Sequence, residues 1–151
     1  MADTEFVHVI YIAAPQQKVW DALIQPEFTR QYWEAENISE WKPGATWEHR
    51  DARDPSKVKM TGKVVEFTPP NRLVLMWNDS PGAANPSPPS RATIELETVD
   101  TMVRLRVTHD QLVPGSSMLK GISNGWPRVL SSLKTQLETG KPLPTWVKAA
   151  V

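Results

Sequence analysis

Residues 91–109 read RATIELETVDTMVRLRVTH, and residues 118–139 read MLKGISNGWPRVLSSLKTQLET. In the first stretch Ala92, Ile94 and Leu96 alternate with Arg91, Thr93, Glu95 and Glu97. After a short turn, Val103, Leu105 and Val107 alternate with Met102, Arg104, Arg106 and Thr108. Side chains alternate across a strand, so this is a hairpin with one apolar and one polar face. His109 continues the apolar row beyond Val107. In the second stretch Ile122, Trp126, Val129, Leu130, Leu133 and Leu137 recur at steps of three and four, which is one stripe of a helix of about six turns. Ser116 or Ser117 is placed to cap its start and Gly140 its end. Pro127 lies inside the pattern and predicts a kink or a restart near Gly125-Trp126-Pro127. A half-buried hairpin followed by a long amphipathic helix predicts a sheet that packs on that helix.

Working toward the N-terminus, Arg72 to Asn78 and Val58 to Phe67 read as strands, the latter with Gly62 inside it. A glycine in mid-strand marks a bulge or a close backbone approach. Thr46 to Arg50 is a shorter strand, and Asn37 to Trp41 shorter still. Its alternation puts Trp47 and His49 on one face and Glu48 and Arg50 on the other, with the inner face undecided. Glu66 falls on the side of Val58, Met60 and Val64. Phe6 to Ile12 is a strand with apolar groups on both sides. Pro15 opens a short helix carrying Val19, Trp20, Leu23 and Ile24, which Pro26 ends. A second short helix covers Glu27 to Trp33. Ser80 to Ser90 is rich in proline and has no apolar periodicity, so it reads as a mobile connection open to proteolysis.

The chain has 151 residues, which predicts one domain over 1–151 with its core in 5–140 and a tail in 141–151 that Pro144, Trp146 and Val147 help to hold. Lys plus Arg and Asp plus Glu are both 17, so no basic surplus points to nucleic acid. Cysteine is absent, which excludes disulfides and thiolate chemistry. No stretch has the length of a membrane span or the form of a signal peptide, and a cytoplasmic protein is expected. The histidines His8, His49 and His109 lack metal-ligand spacing, so no metal and no cofactor is expected.

The order is strand, two short helices, six strands, long helix. It comes with Ile12-Ala13-Ala14-Pro15, Val19-Trp20-Asp21-Ala22-Leu23, Pro26-Glu27 and Tyr32-Trp33. Gly62-Lys63-Val64-Val65-Glu66, Pro69-Pro70-Asn71-Arg72-Leu73 and Trp77 follow, then Gly125-Trp126, Val129-Leu130, Leu133-Lys134, Leu137-Glu138 and Gly140. This ordered set resembles the SRPBCC or START-related helix-grip superfamily, and within it the branch named for the activator of the heat-shock protein 90 ATPase. The resemblance covers roughly Glu5 to Gly140. It implies an α+β helix-grip fold, a curved antiparallel sheet of six to seven strands around a long C-terminal helix. It also implies a container for hydrophobic ligands, in a family that includes cyclases, hydrolases and co-chaperones.

Trp is 7 against Phe 3 and Tyr 2, a surplus of large flat side chains. Trp20 and Trp126 lie on helix stripes and read as core, with Trp126 also facing the space under the helix. The expected ligand pocket comprises Trp33, Trp41, Trp47, Trp77, Val103, Leu105, Val107, His109, Ile122 and Trp126, and holds a small apolar or aromatic molecule. The alternatives are a cyclase- or hydrolase-type enzyme with His109, Glu48 or His49 as acid–base group, and an interaction module with a chaperone partner. Monomer and homodimer are both open.

Overall fold

The structure, a computed structural model, describes residues 4–143. The elements follow in the order β1 (Thr4–Ile12), α1 (Gln16–Ile24), α2 (Pro26–Tyr32), β2 (Ala35–Ser39), β3 (Thr46–Asp51), β4 (Val58–Thr68), β5 (Arg72–Asp79), β6 (Ser90–Val99), β7 (Met102–Leu112) and α3 (Ser117–Thr139). The seven strands form one curved antiparallel sheet in the order β1-β7-β6-β5-β4-β3-β2, with α3 in its concavity: a helix-grip fold. Pro144, Trp146 and Val147 lie outside the described residues.

Local chemistry sets the ends of α3. The Ser116 hydroxyl accepts a hydrogen bond from the Leu119 N–H at 3.1 Å, and Gly140 closes the helix in the left-handed region at φ 88°. The helix runs unbroken through Pro127, so of the kink or restart expected there, the restart does not occur. A proline removes one backbone donor and crowds the preceding turn. Here Trp126, Val129, Leu130 and Leu133, all at most 3% exposed, hold the turns on both sides against the core. The facing row of the sheet is Val103, Leu105 and Val107, each at most 1% exposed. The two apolar periodicities therefore meet as the sequence predicts.

Two bulges decide which side chains reach the interior. His49 pairs with Met60 and Arg50 with Val58, so Lys59 is an extra residue in β4. Val64 pairs with Leu75 and Glu66 with Val74, so Val65 is another. A bulge re-aims the side chains that follow it. Glu66 consequently lies not beside Val64 but on the outer face, where it pairs with Arg72 at 3.1 Å. In β3 the undecided faces resolve: Trp47 and His49 are each 1% exposed and point inward. The segment 80–90 is also more constrained than its composition implies. Ser87 N–H donates to Asp79 Oδ2 at 2.7 Å, and Ser87 Oγ accepts from the Met118 N–H at 3.4 Å, tying the connection to the start of α3.

Gly62 marks a close backbone approach within the sheet. A Cβ there would stand 1.8 Å from the Met76 carbonyl oxygen and 2.7 Å from Trp47 Nε1. Those two atoms are themselves hydrogen-bonded at 2.8 Å. Gly62→Ala must therefore displace backbone and break that bond. We expect a loss of more than about 2 kcal/mol in urea denaturation. Leu133→Ala, at a site with no exposure, should cost about 2–5 kcal/mol in the same measurement. A loss below about 0.5 kcal/mol for either would contradict the packing described.

Candidate functional site

β5, β6, β7 and α3 meet at a buried polar chain. Trp126 Nε1 is 3.0 Å from His109 Nδ1, and His109 Nε2 is 2.7 Å from Ser90 Oγ, which lies 3.3 Å from the Trp77 carbonyl oxygen. An indole N–H can only donate, so Nδ1 of His109 is the acceptor and its proton sits on Nε2. That proton goes to Ser90 Oγ, and the Ser90 hydroxyl donates onward to Trp77. His109, Ser90 and Trp126 are nearly or fully buried, and burial lowers the His109 pKa to about 4, against a smaller opposing effect of Asp110.

A second buried histidine stands on β3. His49 Nδ1 is 2.6 Å from Asn37 Oδ1, and the Asn37 amide nitrogen lies 3.5 Å from the Leu23 carbonyl. The oxygen of Asn37 therefore accepts from His49 Nδ1–H. Burial first, and the positive charge of Lys59 second, push the His49 pKa down to about 3, while Asp51 opposes. Rings surround the two histidines. Trp33 lies 4.6 Å from His49 and 5.6 Å from Trp126 between centroids, and Trp77 lies 5.5 Å from Trp126 and 4.8 Å from Trp47. The pairs are tilted, the geometry that aromatic quadrupoles favour over a flat sandwich. Trp77 Nε1 also meets Met60 Sδ at 2.8 Å.

Against this cluster lies a pocket of about 350 Å³. Trp33, Trp77, Trp126 and Met60 form one side, and Met118, Ile122 and Val129 of α3 the other; Ser117, Gly121, Gly125, Lys59 and Asp79 complete it. No atom stands within 4 Å of the Cβ position at Gly121 or Gly125, so α3 turns a bare backbone toward open space there. A second concavity of about 390 Å³ lies between α1, α2 and the end of α3, where Lys18 and Asp21 share it with Phe28 and Leu137. It lacks the indole walls.

Of the expected pocket residues, Trp33, Trp77, Ile122 and Trp126 line the first pocket together. Trp47 and His109 stand behind Trp77, and Val103, Leu105 and Val107 are core beneath α3. Trp41 is elsewhere, stacked on Phe67 at 6.1 Å. Glu48 pairs with Arg50 at 2.6 Å on the outer face, both about one-third exposed, a contact worth under ~1 kcal/mol. Sequence reasoning did not assign Lys59, Met60, Asp79, Ser117, Met118, Gly121, Gly125 or Val129 to the pocket. The available signal was Ser117, Gly121 and Gly125 at steps of four, one helix face of small residues. Among the described residues no three His, Asp or Glu side chains come together to hold a metal ion, and no helix is long and apolar enough to cross a membrane.

The two histidines make stability depend on pH. Their folded pKa values lie below the ordinary 6.5, so between about 6.5 and 4 the unfolded chain binds more protons than the native one. Their contribution is complete above about pH 6.5 and is lost as pH falls, with a slope approaching ~1.4 kcal/mol per pH unit for each. Urea midpoints should be lower at pH 5 than at pH 7.5. A flat profile across that window would show that the folded protein admits those protons.

Comparison with known proteins places the chain. The family model described as "Activator of Hsp90 ATPase homolog 1-like protein" matches residues 13–138. No curated protein matches the sequence significantly. Among solved structures, protein MLL2253 from Mesorhizobium loti superposes with a TM-score of 0.76 at 24% identity, over 93% of this chain and 100% of that one. CalU16 from Micromonospora echinospora gives 0.74 at 20% identity, over 97% and 81%. The protein encoded by BPP1335 from Bordetella parapertussis gives 0.70 at 26% identity, over 98% and 81%. With strand order, long helix and residue pattern all in agreement, the chain belongs to the family of proteins like the activator of the Hsp90 ATPase.

Proposed function

We propose that the protein binds a small apolar molecule, aromatic by preference, in the pocket between α3 and strands β4 and β5. The observation that carries this reading is the pair Gly121 and Gly125. Glycine inside a helix costs about 0.5–1 kcal/mol relative to alanine. Nothing in the packing requires it at these positions, because an added Cβ meets no atom within 4 Å. The space they keep open is walled by Trp33, Trp77 and Trp126. Indole faces and thioether sulfurs suit a flat aromatic ligand. His109, Glu48 and His49 do not line the pocket, so binding rather than turnover is the reading the site supports.

Burial of a ligand in such a pocket removes apolar area from water at roughly 25 cal/mol per Å² and gives affinities near micromolar, about −8 kcal/mol. An environment-sensitive naphthalene dye should therefore gain fluorescence on saturable binding, while tryptophan emission is quenched in step. Gly121→Ala and Gly125→Ala should each raise stability by about 0.5–1 kcal/mol, since they relieve the cost of helical glycine. Gly125→Leu should fill the space and weaken dye binding at least tenfold with no loss of stability. Trp33→Ala should weaken it too, whereas exposed Lys42→Ala should not. Absence of saturable binding across varied apolar probes, with circular dichroism unchanged, would overturn the proposal.

A further inference from the structure

β1 is an edge of the sheet, and an edge strand presents unpaired backbone N–H and C=O groups. At its end these groups are met by α3. Lys134 Nζ donates to the Tyr11 carbonyl at 2.8 Å, and the Ala13 N–H donates to Glu138 Oε2 at 2.8 Å. Outward-facing groups recur every second residue in an antiparallel strand. The alternation that turns Tyr11 toward α3 therefore turns the backbone of Val9, Val7 and Glu5 outward as well. Val7 is 41% and Val9 43% exposed. Natural edges are usually blunted by proline, lysine or a bulge in the edge strand. Residues 5–11, EFVHVIY, contain neither proline nor lysine, and the register shift near Thr4 places its extra residue in β7 rather than β1.

We infer that this edge is an interface between two copies of the chain, joined antiparallel through β1 about a two-fold axis at Val7. That register sets Val7 against Val7 of the second copy, and Val9 against Glu5 of the second copy. Charge selects it. Arg106 stands opposite Val9 on β7, so the row across the joint runs Arg106, Val9, then Glu5 of the second copy. Among the described residues neither Glu5 nor Arg106 forms an ion pair, although Arg106 also stands across from Glu95 on β6. The two-fold repeats the Arg106–Glu5 crossing on both sides of the axis, and no like charges oppose one another within residues 5–9. An exposed apolar centre, open backbone groups and unused opposite charges together fit a second copy better than an arbitrary extended peptide, which would lack the matching glutamate. The inference does not depend on the pocket.

A single strand pair buries less than the 1,200–2,000 Å² of a standard stable interface, so the association is weak and concentration-dependent. Sedimentation velocity from about 10 to about 500 μM should show the average mass rising from one chain toward two. Val7→Lys sets two ammonium groups at the axis and should hold the protein monomeric across that range. Glu5→Arg and Arg106→Glu should each weaken the dimer at least threefold, and the double charge exchange should restore it. Each altered side chain is at the surface, so circular dichroism should stay that of the wild type and confirm folding. The urea midpoint should fall modestly only in the variants that carry Arg106→Glu, which sets a second carboxylate across from Glu95. A mass of one chain at every concentration would overturn the inference. So would a dimer indifferent to Val7→Lys, which would place the contact on another face, or a double exchange that fails to rescue.

Discussion

The indole N–H of Trp126 donating to Nδ1 of His109 is the bond on which the arrangement of helix and sheet depends. Apolar stripes fix which face of a helix meets a sheet, but they tolerate sliding, because one methyl contact resembles another. A buried donor does not tolerate it. Leaving the Trp126 N–H unpaired would cost about 1–3 kcal/mol, and the penalty would pass down the chain to His109, Ser90 and the Trp77 carbonyl. One side chain from α3 is thereby locked to β7, β6 and β5 together. The same bond fixes the histidine tautomer, and burial keeps the ring neutral. A proton on Nδ1 would confront the indole N–H directly, so acid is expected to act on the fold at this point.

With α3 placed, the glycines take opposite roles. Gly62 is small because the Met76 carbonyl and the Trp47 indole occupy the volume a Cβ would need. That close approach lays Trp47 behind Trp77 and leaves Trp77 as the wall of the pocket. Gly121 and Gly125 are small although their surroundings are empty. The first glycine serves packing, whereas at the other two no neighbouring atom requires the small residue. The distinction is invisible in composition, since a glycine in a strand and a glycine in a helix are equally unfavourable by propensity.

This is also where the sequence was legible and where it was not. The hairpin of β6 and β7 and the stripe of α3 were legible because each carries one clean period, and His109 followed from the row of Leu105 and Val107. The helix-grip order and the family resemblance rested on α3 together with residues of the N-terminal strand, the two short helices and the central strands. β3 was ambiguous because Trp47, Glu48, His49 and Arg50 offer each face a large side chain. Glu66 was misplaced because the bulge at Val65 shifts the alternation, and a bulge is a backbone event with no obligatory residue. Lys59 and Met60 were missed for the same reason, one bulge earlier. Trp41 was grouped with the pocket on residue type alone, yet its backbone adopts φ 52° and sends the ring to Phe67. Of the kink or restart that Pro127 predicts, the restart is absent because packing on either side offsets the cost of the proline.

Core and pocket draw on the same indoles, and α3 separates the two uses along its length. Its second half presents Leu130 and Leu133, without exposure, to β7 and β1, and Lys134 and Glu138 fasten its flank to the end of β1. Its first half presents Ser117, Gly121 and Gly125, which pack little and leave a gap. Stability contributed by packing grows with the atoms in contact. The second half, together with Met118, Ile122 and Trp126, therefore holds the helix, and the face of Ser117, Gly121 and Gly125 can be spaced for a ligand without loosening it. Trp126 and Val129 stand at the boundary: each is buried in the core and each also lines the pocket. A molecule bound there would touch the helix at the turn where the bond to His109 is made, so occupancy and the rigidity of that turn are physically linked.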